Sequence, residues 1–161
     1  MSEIYESMTE TEIEASKVDT YEHIHKVQGY VLDVAQRLMV RALEHDRSKL
    51  WPPEDLRFAE VSKALKGVDY GSDEYKDLLA ELKPALDHHY AHNRHHPEHH
   101  ESVDEMTLID LLEMICDWKA ASERHDSGDI LKSIEINTER FGLSEQLACI
   151  LTRTAHELFD L

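Results

Sequence analysis

The chain has 161 residues, of which 41% are apolar and 32% charged, a composition typical of one folded domain with a modest core. Acidic residues outnumber basic ones by 34 to 17 and give a formal charge of −17, which excludes the basic surface that a nucleic-acid polymer or an anionic membrane requires. The 12 histidines form a second excess, for which composition alone gives no reason.

The N-terminus is rich in glutamate and has only scattered apolar positions, so residues 1–18 are predicted to form an acidic flexible tail; a weak helix, destabilised by repulsion between glutamates, is the open alternative. Residues 19–161 are predicted to form the folded helical domain. From Asp19 to Glu44, apolar residues recur at steps of three and four, the period of one or two amphipathic helices. Trp51-Pro-Pro-Glu54 ends this pattern and starts the next helix, because proline is disfavoured inside a helix and favoured in its first turn.

The rest of the chain continues in helical patterns separated by short turns. A turn at Gly67–Gly71 with a cap at Ser72 separates two of them, and Ser127-Gly-Asp129 separates two others. Further helical segments are predicted over Tyr75–Leu82, from Pro84 into the histidines, and over Met106–Arg124, Ile130–Arg140 and Ser144–Phe159. Because no segment alternates as a strand does, the predicted fold class is all-α, as a single compact helical domain.

The sequence also predicts a soluble, cytoplasmic protein. No apolar run approaches the roughly 20 residues that span a bilayer, and the N-terminus lacks a basic-then-apolar signal pattern. Cys116 and Cys149 are too few for a disulfide framework, and we expect small buried thiols in a reducing compartment.

Seven of the 12 histidines fall between positions 88 and 100, interleaved with other residues. Neutral imidazole is a favoured ligand of divalent transition metals, and carboxylates complete such sites. His88 and His92 lie one helical turn apart, so one helix face could present two ligands. We expect two or three of the seven to bind metal; the alternative is an exposed histidine-rich loop that acquires metal opportunistically.

Acidic residues on two other segments are candidate partners. His45-Asp46 ends the first amphipathic pattern and is followed by Lys49. Asp110, Glu113 and Asp117 recur at steps of three and four and therefore share a helix face. Among these three, Asp117 is predicted to be a ligand, Glu113 to orient a ligand or relay a proton, and Asp110 to lie at the surface.

These motifs, in this order, resemble the HD-domain metal-dependent phosphohydrolases, which carry a His on one helix, a His-Asp doublet on the next and an Asp on a later helix. His23, His45-Asp46 and Asp117 occupy the matching positions. More closely, the chain resembles a group of small, functionally uncharacterised phage and bacterial proteins marked by His-Asp-x-Ser-Lys, Asn-x-His-His and Glu-Met-x-x-Asp-Trp. The resemblance covers about Thr20 to Ser122.

The resemblance implies an HD-like helical fold and a metal-dependent phosphohydrolase that acts on a small nucleotide or related phosphate ester through metal-activated water. It implies one or two divalent ions (Mn, Fe, Co, Ni, Zn or Mg) bound by His23, His45, Asp46, His89, His96 and Asp117. Lys49 would neutralise substrate charge, with Asp46 and Glu113 as further catalytic residues; for Lys49 a solvated lysine at a helix end is the open alternative.

Neighbouring histidines stay open as ligands, because a slip of one residue turns a helical side chain by about 100°. His25 could replace His23, His88 could replace His89, and His95 or His99 could replace His96. His23 and His45 would lie about 33 Å apart in one unbroken helix. Either the helix breaks near Leu32–Gln36 and folds back as an antiparallel pair, which we predict, or His23 lies outside the site.

Two other function classes stay open. The histidine-rich ligand set would suit a di-iron oxygenase of the HD type, and a metal could instead stabilise a non-enzymatic helical binding protein. The expected partner of the enzyme is a small-molecule phosphate substrate, and a homo-oligomer is left open.

Overall fold

The computed structural model describes residues 8–64, 68, 73–124 and 128–160, without the side chains of residues 74–76 and 79. The predicted all-α class is confirmed, since these residues form helices and no strand. The helices are α1 (Glu10–Glu44), α2 (Glu54–Ala64), α3 (Asp73–Glu81), α4 (Lys83–His92), α5 (Leu108–Ser122), α6 (Ile130–Phe141) and α7 (Glu145–Phe159). Short 3-10 turns span Arg47–Leu50, Pro97–His99 and Val103–Glu105. Some predicted features lie outside the described residues: the turn at Gly67–Gly71, of which only Val68 is described, the cap at Ser72, and Ser127.

The chain divides into two compact units, Met1–Arg41 and Ala42–Leu161. Helix α1 begins at Glu10, so residues 10–18 are helical. The reason is a capping box, in which the backbone N–H of Thr9 donates to Glu12 Oε2 at 2.8 Å and that of Glu12 donates to Thr9 Oγ1 at 3.4 Å.

Helix α1 is also unbroken over its 35 residues, so the predicted break near Leu32–Gln36 is wrong. The sequence contains no proline there, and Gly29 alone does not end the helix. With a rise of about 1.5 Å per residue, His23 lies about 33 Å along the helix from His45. His23 is therefore not a ligand of a metal held by His45 of the same chain.

The apolar core of the second unit is built by α5, α6 and α7, which pack in sequence order. Met114, Ile115 and Trp118 form the inner face of α5 and are buried against residues of α6 and α7. Cys116 and Cys149 are exposed and not buried as expected. Cys116 directly follows the buried Ile115, and one residue along a helix turns its side chain by about 100° away from the core.

The other part of the second unit surrounds the histidine segment. Helix α2 begins at Glu54, directly after Pro53, as predicted, and it packs against α4 and the 3-10 turn Arg47–Leu50. Helix α4 begins around Pro84 and ends at His92, after which Asn93 adopts an extended conformation. The chain can therefore turn back and present the next histidines to the same side. None of the helices in the described residues has the length and apolarity of a membrane span.

Candidate metal centre

The His45-Asp46 doublet lies immediately after α1, where the helix gives way to the 3-10 turn. Asp46 has a left-handed backbone (φ 55°), a conformation that aspartate tolerates better than most residues. Its carbonyl oxygen accepts a hydrogen bond from the N–H of Lys49 at 2.9 Å. The turn thereby places the imidazole of His45 and the carboxylate of Asp46 on the same side, with His45 Nε2 3.6 Å from Asp46 Oδ2.

Helix α4 supplies His89, which is fully buried. Its Nδ1 lies 2.9 Å from Glu54 Oε2, and its Nε2 lies 3.3 Å from Asp46 Oδ1 and 2.8 Å from His96 Nε2. His95, also buried, places its Nε2 3.5 Å from the same oxygen of Asp46. Three imidazoles therefore converge near one carboxylate oxygen.

Helix α5 closes the cluster from another side. Glu113 Oε1 lies 2.9 Å from His45 Nδ1 and 3.1 Å from His95 Nδ1, so one carboxylate fixes two imidazole rings. Asp117 lies one turn further along the helix, with Oδ1 3.6 Å from His45 Nε2. Because the Nδ1 atoms of both histidines face Glu113, the Nε2 atoms are left to face Asp46 and Asp117, the arrangement in which carboxylates orient metal-binding histidines.

Two overlapping groups in this cluster could each hold a metal ion, since all the ligand atoms of a group lie within 4.8 Å of one another. The two groups share Asp46 and His95. The first group adds His89 and His96, and the second adds His45 and Asp117. The two oxygens of Asp46 could bridge two ions, whereas the single Nε2 of His95 serves one ion only.

The chemistry of the donor set fits a cation. Asp46 Oδ1 and His95 Nε2 are buried and make no hydrogen bond with any described residue. Buried polar atoms normally have a partner, and such unpartnered atoms call for a specific explanation such as an ion. Both atoms belong to both candidate groups, so a metal ion there would satisfy them.

Burial and neighbouring charges shift the pKa values of several side chains in the cluster. Burial alone would raise the pKa of Asp46, but the neighbouring His89 and the hydrogen-bonded ammonium of Lys49 lower it below its ordinary range. Burial and the neighbouring His95 and His89 lower the pKa of His96 to about 3, whereas Asp117 and Glu113 raise that of His45 to about 10. At neutral pH Asp46 is thus ionised and His96 is neutral, the protonation states in which each binds metal, whereas His45 is protonated and must release a proton to bind metal.

Lys49 lies at the partly exposed edge of the cluster. Its ammonium group lies 2.6 Å from Asp46 Oδ2 and 5.8 Å from the centre of the Phe58 ring. The side chain is 38% exposed, so it pairs with the central carboxylate and also reaches the solvent side from which a ligand would approach.

The structure brings together most of the residues predicted as ligands. These are His45, Asp46, His89, His96 and Asp117, with Lys49 and Glu113 in direct contact with them. His23 lies in the first unit, and neither candidate group includes it. His95, which the sequence left as a possible replacement for His96, joins His96 in one group because the extended loop brings both rings to the same side.

His88 and His99 lie outside both candidate groups and bond other residues. His88 Nδ1 bonds Glu54 Oε1 at 2.7 Å, and His99 Nδ1 bonds the carbonyl oxygen of Tyr90 at 2.7 Å. Asp110 is fully buried and not at the surface as expected, because it completes the capping box of α5 and pairs with Arg94 at 3.2 Å.

Glu54 contacts the histidines of the cluster, a position that the sequence did not predict. Its carboxylate is fully buried and bonds His88, His89 and the hydroxyl of Ser48. A glutamate directly after Trp51-Pro-Pro suggested only a helix start. The available signal was the position of an acid in the first turn of a helix beside a histidine-rich segment.

The chain belongs to a family described as a family of unknown function (DUF5662), whose profile matches residues 12–158. The match includes α1 and every residue of the two candidate groups. No match was found among curated proteins or among solved structures.

Proposed function

We propose that this protein is a metal-dependent phosphohydrolase that acts on a small nucleotide or a related phosphate ester. The observation that carries the proposal is the pair of overlapping ligand groups that share Asp46 and His95, with the Lys49 ammonium 2.6 Å from Asp46. Two ligand sets joined by one carboxylate fit two ions side by side, a recurrent arrangement in phosphoryl-transfer enzymes. The sequence resemblance to HD-domain phosphohydrolases supports the same reaction class.

The protein's own residues have separable roles in this proposal. Divalent ions bound here would polarise a phosphoryl oxygen and make hydroxide available at neutral pH. Glu113 holds the rings of His45 and His95, and Glu54 holds that of His89, so the Nε2 atoms are oriented before a metal arrives. Lys49 reaches the exposed side of the centre, where its charge would neutralise a phosphate group of the substrate.

The charge of the whole chain favours a small substrate over a polymer. The formal charge of −17 opposes the approach of a long polyanion. A small phosphate ester needs positive charge only at the centre itself, where the metal ions and Lys49 would supply it.

Phosphate release from a panel of nucleotides and simple phosphate esters tests the proposal after the protein is loaded with Mn²⁺, Co²⁺, Ni²⁺, Zn²⁺ or Mg²⁺. We expect at least one metal to support release, and Asp46→Asn to reduce it at least about 100-fold because the central ligand is lost. The matched control is Asp87→Asn, which removes an exposed carboxylate that pairs with Lys83 in α4. It should retain the activity.

Protein that is folded and loaded with metal but releases no phosphate with any ion would overturn the proposal. Oxygen consumption by an iron-loaded sample would indicate the oxygenase alternative, and unfolding on chelation without any turnover would indicate a structural metal.

A further inference from the structure

Helix α1 presents an exposed apolar surface. Helix α1 has no buried residue over its 35 residues. Eleven large apolar side chains between positions 18 and 43 are at least 40% exposed: Val18, Tyr21, Ile24, Val27, Tyr30, Val31, Leu32, Val34, Met39, Val40 and Leu43. A monomeric protein rarely exposes so continuous an apolar surface, so this one is expected to be covered in solution.

The spacing of these residues indicates what kind of element covers them. Ile24, Val27, Val31, Val34 and Leu38 follow alternating steps of three and four, which is the heptad pattern of a helix that packs along another helix. Valine and isoleucine dominate this stripe, and its C-terminal part, residues 30–43, also carries apolar residues on the remaining faces. A long partner helix matches this surface better than a small ligand does.

The distribution of charge along α1 favours pairing with the α1 helix of a second copy of the chain, in antiparallel orientation. The N-terminal half, Glu10–Glu22, has five acidic residues and one basic residue. The C-terminal half, Lys26–Glu44, has three basic residues and two acidic residues. Two parallel copies would place the two strongly acidic halves side by side, whereas two antiparallel copies place each acidic half beside a half with a small net positive charge. Opposite charges that flank an apolar seam set the orientation of paired helices.

We propose that two copies of this chain associate through an antiparallel pairing of α1, with the stripe from Ile24 to Leu38 at its centre. The contact is isologous, since each copy gives the same surface, so the pair closes with two-fold symmetry. Gly29 lies in this segment, and a side chain added there would meet no atom within 4 Å. This inference concerns the first unit and is independent of the proposed phosphohydrolase activity.

The mass of the full-length protein in solution, measured by light scattering during gel filtration, tests the association. We expect particles of twice the chain mass of 18.7 kDa. The double variant Val27→Glu/Val31→Glu should reduce the mass to that of one chain, because both charges would lie in the apolar seam. Both side chains are exposed in the isolated chain, so circular dichroism should show the helix content retained.

The matched control is Leu56→Glu/Leu108→Glu, which changes two exposed apolar residues of the second unit and should keep the mass of the pair. A wild-type particle of one chain, or a pair that persists in Val27→Glu/Val31→Glu, would overturn the proposal.

Distances between spin labels test the direction of pairing. In a Cys116→Ser/Cys149→Ser background, one label is attached at Ser16→Cys or at Gly29→Cys. An antiparallel pair in which the stripe Ile24–Leu38 packs against its own copy is centred near Val31, so it separates the two labels at position 16 by about 45 Å and those at position 29 by about 6 Å along the axis. Equal short distances at both positions would show a parallel pair and contradict the proposed orientation.

Discussion

Glu54 shows at the residue scale how the site depends on a side chain that is not itself a candidate ligand. It lies 2.9 Å from Nδ1 of His89 and 2.7 Å from Nδ1 of His88, in a position without solvent exposure. An ionised carboxylate accepts a hydrogen bond from Nδ1–H, which favours the tautomer whose Nε2 lone pair is directed toward Asp46. The ring is thus fixed in the tautomer that a metal requires.

Glu54→Gln should therefore weaken metal binding by about 10- to 100-fold, the range observed when a carboxylate partner of a metal-bound histidine is changed. The amide keeps the size of the side chain, but its uncharged oxygen accepts a weaker hydrogen bond from Nδ1–H of His89. Titration calorimetry with Co²⁺ or Zn²⁺ measures the affinity.

Glu60→Gln is the matched control, because Glu60 lies on the same helix, is exposed and pairs with Arg57 at 3.1 Å. It should bind metal like the wild type. Equal affinities for Glu54→Gln and the wild type would show that Glu54 does not orient His89.

The sequence predicted the kinds of residue in the site, but it did not decide which of the neighbouring histidines take part. His45-Asp46 and Asp117 could be selected because they match, in order, the motifs of the HD-domain phosphohydrolases that the chain resembles. The choice among the histidines of residues 88–100 could not be made, because it depends on the extended backbone at Asn93, which ends α4 and brings His95 beside His96. Such a change of direction is set by tertiary packing and not by helical period.

Helix α5 links the site to the core at the scale of secondary structure. Its inner face carries Met114, Ile115 and Trp118, and Glu113 and Asp117 extend from it toward the histidines. A capping box at its start fixes its register, since the hydroxyl of Thr107 accepts from the N–H of Asp110 and the carboxylate of Asp110 accepts from Thr107. The packing of the core and the positions of Glu113 and Asp117 in the candidate metal centre therefore both depend on how α5 begins.

Thr107→Ala should lower the free energy of unfolding by about 1 kcal/mol, because the N–H at the third helical position loses its acceptor. Urea unfolding of the metal-free protein, followed by circular dichroism, measures this change. Thr107→Ser keeps the hydroxyl and should lie within about 0.5 kcal/mol of the wild type. An alanine variant as stable as the serine variant would show that the cap does not stabilise α5.

Apolar periodicity predicted the helices that pack into a core, including α5, α6 and α7, close to their observed bounds. It failed for α1 in two respects. The start at Glu10 depends on a capping box of polar residues, which an apolar pattern does not detect. The predicted break was inferred from the resemblance and not from a helix-breaking residue, and the chain contains none between Leu32 and Gln36.

At the scale of the whole molecule, some of the excess acidic residues and some of the excess histidines lie together in the candidate metal centre. Asp46, Asp117 and Glu113 contribute to the formal charge of −17, yet they converge on imidazoles in the second unit. Bound cations would reduce this local negative charge. They would also stabilise the folded state, because a ligand at 100 times its dissociation constant adds about 2.7 kcal/mol.

The central claim is that the cluster of Asp46, His89, His95 and His96, together with His45 and Asp117, binds metal specifically. The competing explanation is opportunistic binding by exposed histidines. Two double variants separate these cases: His89→Ala/His96→Ala removes two members of the cluster, and His92→Ala/His100→Ala removes two histidines outside both candidate groups.

The most direct measurement is the metal content of each protein by mass spectrometry, after loading with Co²⁺ or Zn²⁺ and dialysis against metal-free buffer. We predict one or two ions per chain in the wild type and in His92→Ala/His100→Ala. We predict a loss of at least one ion per chain in His89→Ala/His96→Ala, with circular dichroism confirming that the variant is folded. Equal metal content in the two double variants, or no retained metal in the wild type, would contradict the claim.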